Sequence, residues 1–201
     1  MKKLLILILL LFLGVGAASA STILHTYSSE SAFLSAVLPG YYMETFSSIT
    51  AGPSLGYSRN GYSYTISARY GLQTLLSGRL EEVWPGDTIT IGFANGGVTA
   101  LGGNFFALNA LAQPKGTTIR LNFAGGPTQT ITSTTSTSTF TGYTFSSPLT
   151  SMTISAQSSI LSPRYATLDN LVVGTAIPEP GSWILLGAGL GLLGIAKFRR
   201  R

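Results

Sequence analysis

DTITIGF, at residues 87–93, puts Ile89, Ile91 and Phe93 on one side of an extended chain and Thr88, Thr90 and Gly92 on the other. A period of two marks a strand with one buried face and one solvated face. TTIRLNF at 117–123 repeats the pattern with Ile119, Leu121 and Phe123, and YSYTISA at 62–68 alternates as well. Residues 149–154 and 167–173 give two further strand-like runs. Turn-forming pairs and triplets separate the segments: Asn60-Gly61, Pro85-Gly86, Asn95-Gly96-Gly97, Gly102-Gly103 and Gly125-Gly126-Pro127. About eight to ten short strands at this spacing predict an all-β domain, an antiparallel β-sandwich or jelly roll.

Working outward, ESAFLSAVL at 30–38 has apolar residues at 33, 34, 37 and 38, a helical spacing. Ser29 is placed to cap this one short helix, and Pro39-Gly40 to end it. Residues 128–141 (TQTITSTTSTSTFT) are rich in Ser and Thr. Such a run fits a flexible or glycosylated segment, but Thr has good strand propensity and the run leads into Phe140, Tyr143 and Phe145. An edge strand with outward hydroxyls is the favoured reading.

The body at 21–176 carries Arg59, Arg69, Arg79, Lys115, Arg120 and Arg164 against Glu30, Glu44, Glu81, Glu82, Asp87 and Asp169, so its net charge is zero. The chain's +5 therefore belongs to its two ends. A nucleic-acid binder needs clustered Lys and Arg on the folded domain, so that class is excluded. With no Cys there is no disulfide framework or thiolate nucleophile, and a single His excludes two-His metal motifs.

The N-terminus opens with Lys2 and Lys3, continues with an unbroken apolar run at 4–13, and reaches Ala18-Ser-Ala20. Charge, apolar run and small residues in that order read as a secretory signal peptide at 1–20, cut by signal peptidase between Ala20 and Ser21. The run is about half the roughly 20 residues a spanning helix needs. At the other end, Pro178-Glu179-Pro180 breaks regular structure, an uncharged stretch at 183–196 follows, and Lys197, Arg199, Arg200 and Arg201 close the chain. The stretch is read as a C-terminal transmembrane helix, with the Arg cluster cytoplasmic and the body on the far side. Gly189, Gly191 and Gly194 match G-x-G-x-x-G, but no crossover unit can follow them in the seven remaining residues.

This tail, at 177–201, resembles the PEP-CTERM sorting domain of exopolysaccharide-associated Gram-negative bacteria. The likeness rests on Pro178-Glu179-Pro180, the Leu/Gly/Ala stretch from Trp183, and Arg199-Arg200-Arg201. It implies processing by an exosortase near Pro-Glu-Pro, after a membrane-held intermediate, and delivery to the cell surface or extracellular matrix. Ala100-Leu-Gly-Gly-Asn-Phe-Phe106, Phe140-Thr-Gly-Tyr143 and Ala166-Thr-Leu-Asp-Asn-Leu171 also resemble bodies that precede such tails. That resemblance implies a sandwich like those of carbohydrate-binding and lectin-like modules.

No constellation for catalysis emerges. The only imidazole, His25, sits near the start of the body, which leaves a Ser hydrolase triad without a marked base. Adjacent Glu81 and Glu82 on a strand point to opposite faces, which suits neither glycosidase geometry. Hard oxygen ligands suggest a structural Ca²⁺ shared by Glu44, Asp169 and Asn170 if the first and last strands lie side by side; turn and backbone hydrogen bonds by those residues are the alternative. Tyr57, Tyr62, Tyr64, Tyr70 and Trp84 are candidates for stacking on sugar rings, with a core role the competing reading. The expectation is a non-catalytic, exported domain associated with exopolysaccharide and without a cofactor other than that Ca²⁺. The alternatives are a polysaccharide hydrolase or lyase using unidentified Asp and Glu residues, and a protein-binding adhesin-like module.

Overall fold

The computed structural model describes residues 21–48, 51–75, 78–94, 96–137 and 139–178. The expected signal peptide at 1–20 and the tail from Glu179 onward lie outside them, as does the expected transmembrane helix. No helix among the described residues is long and apolar enough to cross a membrane. The body is almost entirely antiparallel β. In chain order it comprises β1 (Ile23–Tyr27), α1 (Glu30–Leu34), β2 (Tyr42–Glu44), β3 (Ala51–Arg59), β4 (Tyr62–Leu75), β5 (Arg79–Glu82) and β6 (Thr88–Phe93). There follow β7 (Ala100–Leu108), β8 (Thr117–Phe123), β9 (Thr128–Ser133), β10 (Phe140–Phe145), β11 (Ser151–Ala156) and β12 (Tyr165–Gly174).

The strands form a curled sheet in the order β1-β10-β7-β12-β5-β4-β6-β11-β8-β9, with β2 also on β12 and β3 also on β4. The curl has a clear origin. The 14-residue β4 pairs with β6 through Tyr64–Ser67 and with β5 through Leu72–Leu75. The two halves of the sheet thus stay hydrogen-bonded where a sandwich of separate sheets would leave a gap. Their inner faces enclose one large core. Ile89, Ile91, Ile119, Leu121, Met152 and Ile154 come from one half, and Leu101, Phe105, Leu168, Leu171 and Val173 from the other. The alternating residues of 87–93 and 117–123 supply this core as their period demands.

A second, smaller cluster lies on the outer face of β7, β10 and β12, where Phe33 and Val37 cover Ala100, Phe140 and Val172. Phe33 can approach because Gly102 and Gly142 lie beneath it. A Cβ on Gly142 would come within 2.5 Å of the Phe33 ring, and one on Gly102 within 3.0 Å. Ser29 caps α1 as expected, its Oγ accepting from Ala32 N at 3.3 Å. The helix nevertheless ends at Leu34, short of the expected 38. Leu38 N donates to Thr175 O (2.8 Å), and Val37 bridges to Ala176, so the segment after α1 is drawn into extended pairing. The Ser/Thr-rich run forms an edge strand only over Thr128–Ser133, as β9 at the end of the strand order, with Ile131 turned toward the core and most hydroxyls outward; residues 134–137 leave the sheet, and Phe140 and Thr141 open the interior strand β10.

Candidate functional site

The tyrosines singled out from the sequence separate into two groups. Tyr64 is 1% exposed and stacks on Tyr57, with ring centroids 5.2 Å apart and planes at 19°. Tyr42 packs on the same ring from β2 at 5.5 Å. Tyr62 is half-buried, and its hydroxyl is 3.0 Å from Thr175 Oγ1. These rings face inward because β4 alternates and its inner face closes the curl, so Tyr57, Tyr62 and Tyr64 do not form a platform for a ligand. Burial, reinforced by the nearby Glu44 carboxylate, pushes the phenols of Tyr42 and Tyr57 up to about 12, and Tyr64 further in the same direction.

Tyr70 and Trp84 remain outside. Tyr70 is 54% exposed and Trp84 61%, and their ring centroids are 6.0 Å apart. Tyr70 lies in the later part of β4, and Trp84 on the turn between β5 and β6. The Arg69 guanidinium lies over the Tyr70 ring at 5.1 Å. An open groove of about 490 Å³ runs beside Trp84, lined by Pro85, Gly86, Ser158, Ser159, Ile160 and Pro163. Ile160 of that lining and the adjoining Leu161 stand almost fully exposed.

The turn carrying Trp84 is held from beneath. Glu82 is fully buried, and its Oε1 accepts from Gly86 N (3.1 Å) and from Ala166 N (2.9 Å) on β12. Asp87 Oδ2 accepts from Tyr70 N (2.9 Å), and Val83 N donates to Gly71 O (2.9 Å). Both aromatic rings therefore sit on a braced backbone. Glu82 Oε2 finds no hydrogen-bond partner among the described residues. A carboxylate with one oxygen unpaired in an apolar setting favours its protonated form. Burial accordingly raises Glu82 to about 8 despite the two backbone donors. Glu81, on the opposite face of β5, accepts from Gln73 Nε2 at 2.7 Å and is also raised by burial.

For the Ca²⁺ expectation, β2 does pair with β12, and Glu44 lies opposite Leu171. The side chains are engaged separately, however. Glu44 accepts from the Tyr42 hydroxyl and from Phe46 N (2.8 Å), whereas Asp169 accepts from Asn170 N at 2.7 Å. Asn170 is left-handed, at φ 49°, within the irregular register at Asp169–Val172. Leu168 faces the core, which leaves the adjoining Asp169 toward the outside, where burial raises its carboxyl against the pull of Asn170 N and Arg79. Among the described residues no three His, Cys, Asp or Glu side chains gather.

Of the processing residues, Ser21 and Pro178 are described; Ala18, Ala20, Glu179, Pro180, Arg199, Arg200 and Arg201 lie outside the described residues. Ser21 is already buried, with Oγ donating to Ser147 O at 2.9 Å. Leu24, Phe145, Thr175, Ile177 and Pro178 line one groove, so both termini of the body meet at one end. The aromatic pair lies at the other: Gly86 N donates to Arg164 O just before β12 begins, and the tail leaves just after β12 ends. Ten residues of strand at about 3.3 Å each set the two ends roughly 30 Å apart.

Residues 176–201 match the model of the PEP-CTERM protein-sorting motif. No curated protein matches the chain. Among solved structures it is similar to a family two carbohydrate esterase from Cellvibrio japonicus, at 17% identity and a TM-score of 0.40, over 66% of this chain and 36% of that one. It is also similar to an exo-beta-1,3-galactanase from Phanerochaete chrysosporium, at 18% identity and a TM-score of 0.33, over 68% of this chain and 30% of that one. The chain thus spans about a third of either neighbour's length, and likenesses at these scores carry no argument about activity or ligand.

Proposed function

The chain is a PEP-CTERM domain-containing protein, and we propose that it is an exported, exosortase-processed matrix or surface protein whose curled β body binds exopolysaccharide without acting on it. Its sorting motif implies export and an exosortase as processing partner. The observation that carries the binding role is the exposed Tyr70–Trp84 pair on a braced backbone. Sugar rings present C–H faces that stack on such rings, and their hydroxyls find partners in neighbouring polar groups. Arg69, Ser158 and Ser159 stand close to the two rings and the groove beside them. The pair lies at the end away from the tail, so it faces outward while the tail is in the membrane.

Affinity electrophoresis of the exported protein in gels containing the host's own extracted exopolysaccharide tests this reading. Retardation is expected for the wild type. Trp84→Ala and Tyr70→Ala should each weaken binding up to about tenfold, the scale of one aromatic contact. Tyr62→Phe should not. Retardation untouched by either alanine would move the ligand elsewhere, and release of reducing sugars would replace binding with catalysis.

A further inference from the structure

The fold does not stop where the sorting motif starts. Ala176 N donates to Thr99 Oγ1 (2.9 Å), and Ile177 N donates to Ala36 O (2.9 Å). Ala176 bridges antiparallel to Val37, and Thr175 O accepts from Leu38 N at 2.8 Å. The Thr175 hydroxyl donates to Gly97 O (2.8 Å) and lies 3.0 Å from the Tyr62 hydroxyl. Val37 itself is buried, seated so closely over Gly174 that a Cβ there would come within 2.6 Å of it. Residues 175–177 are therefore a short strand-like extension of the body, although the motif begins at 176. No residue separates the last pinned amide, Ile177, from Pro178 of Pro-Glu-Pro. Pro178 has no N–H with which to extend the pairing.

We propose that this junction restrains sorting: the folded body holds the approach to Pro178-Glu179-Pro180 against its own surface, and the exosortase gains access only when the bonds of residues 175–177 open. The proposal rests on the sorting reading and adds a folding-dependent step to it. The restraint acts on an exosortase that engages backbone on the N-terminal side of Pro-Glu-Pro as well as the element itself. Here the N-terminal side has its N–H groups committed to Thr99 and to the segment after α1. Engagement then draws on a local opening equilibrium, which a spacer would abolish.

The test is a pulse–chase of the full chain in its own host, following conversion of the membrane-held precursor. A flexible Gly/Ser spacer of about six residues between Ile177 and Pro178 frees the motif without touching the body. Conversion should become roughly fivefold faster or more, the factor for opening one backbone hydrogen bond. Thr99→Val, which keeps the shape but removes the acceptor for Ala176 N, should give a smaller acceleration in the same direction. With the spacer present, replacing Pro178, Glu179 and Pro180 by Ala should still block conversion. Equal or slower conversion with the spacer overturns the restraint and leaves the sorting reading standing. Conversion that survives loss of Pro-Glu-Pro also overturns it, since the gain would then be non-specific proteolysis. A wild-type chain that is never converted contradicts the sorting reading, and the restraint falls with it.

Discussion

A methyl group on Gly142 would sit 2.5 Å from Cδ2 and 2.7 Å from Cγ of Phe33, atoms at the stiff base of a fully buried ring. The ring has Phe140 beside it at 5.5 Å and cannot swing away. Gly142→Ala should therefore cost about 1–3 kcal/mol, the usual range for overpacking, read as a lowered urea midpoint at unchanged slope. Glu82 gives a prediction in pH. Its folded value, about 8, lies above the ordinary 4.5, so the folded state binds the proton more tightly. The stability this contributes is full below the ordinary value and is lost as pH rises through the folded one. Unfolding midpoints should fall between about pH 5 and about pH 9 in the wild type and fall less in Glu82→Gln, which carries no charge to bury. The sequence showed that Glu81 and Glu82 point to opposite faces of a strand. It could not show that Glu82 would serve as a buried brace for the Trp84 turn, because its donors, Gly86 N and Ala166 N, include one 84 residues away.

At the scale of the element, the cleanly alternating strands β6 and β8 were legible, whereas β7 and β10, buried on both faces, were not. β6 and β8 alternate cleanly, and β8 spans the residues the alternation marks. β7, ALGGNFFAL, is buried at every position, because the core takes one face while α1 and neighbouring side chains take the other. A strand in that setting has no period to detect. β10 is hidden in the same way. The aromatic candidates divided along the same line: Tyr57, Tyr62 and Tyr64 follow the alternation of β3 and β4 inward, whereas Trp84 sits on a turn where no period applies. For α1, five residues are too few to hold a helix by propensity. Phe33→Ala, which empties the pocket above Gly102 and Gly142, should cost about 3–5 kcal/mol. Ser29→Ala, which removes only the cap, should cost about 1 kcal/mol. Equal losses from the two variants would mean that capping, not the Phe33 contact, holds the helix.

For the molecule as a whole, the sorting motif lies at the C-terminal end of the chain and the body precedes it. Ser21 is already packed against Ser147, and Thr175–Ile177 are bonded to Thr99 and Ala36, so the body is defined at both boundaries where processing is expected. These boundaries lie at one end, and Tyr70 and Trp84 lie at the other. The sorting motif was legible because it is a local pattern of charge, apolar length and proline, and the expected signal peptide is read from the same kind of pattern. The exposed Tyr70–Trp84 pair was legible only as part of a list of aromatic residues, because exposure depends on how β4 and β5 meet across the curl. Intact-mass measurement of the protein recovered from the cell surface or medium tests the central claim most directly. The account predicts a species that begins at Ser21 and lacks the apolar stretch and Arg199–Arg201; a recovered protein still carrying Met1 or Arg201 would contradict it.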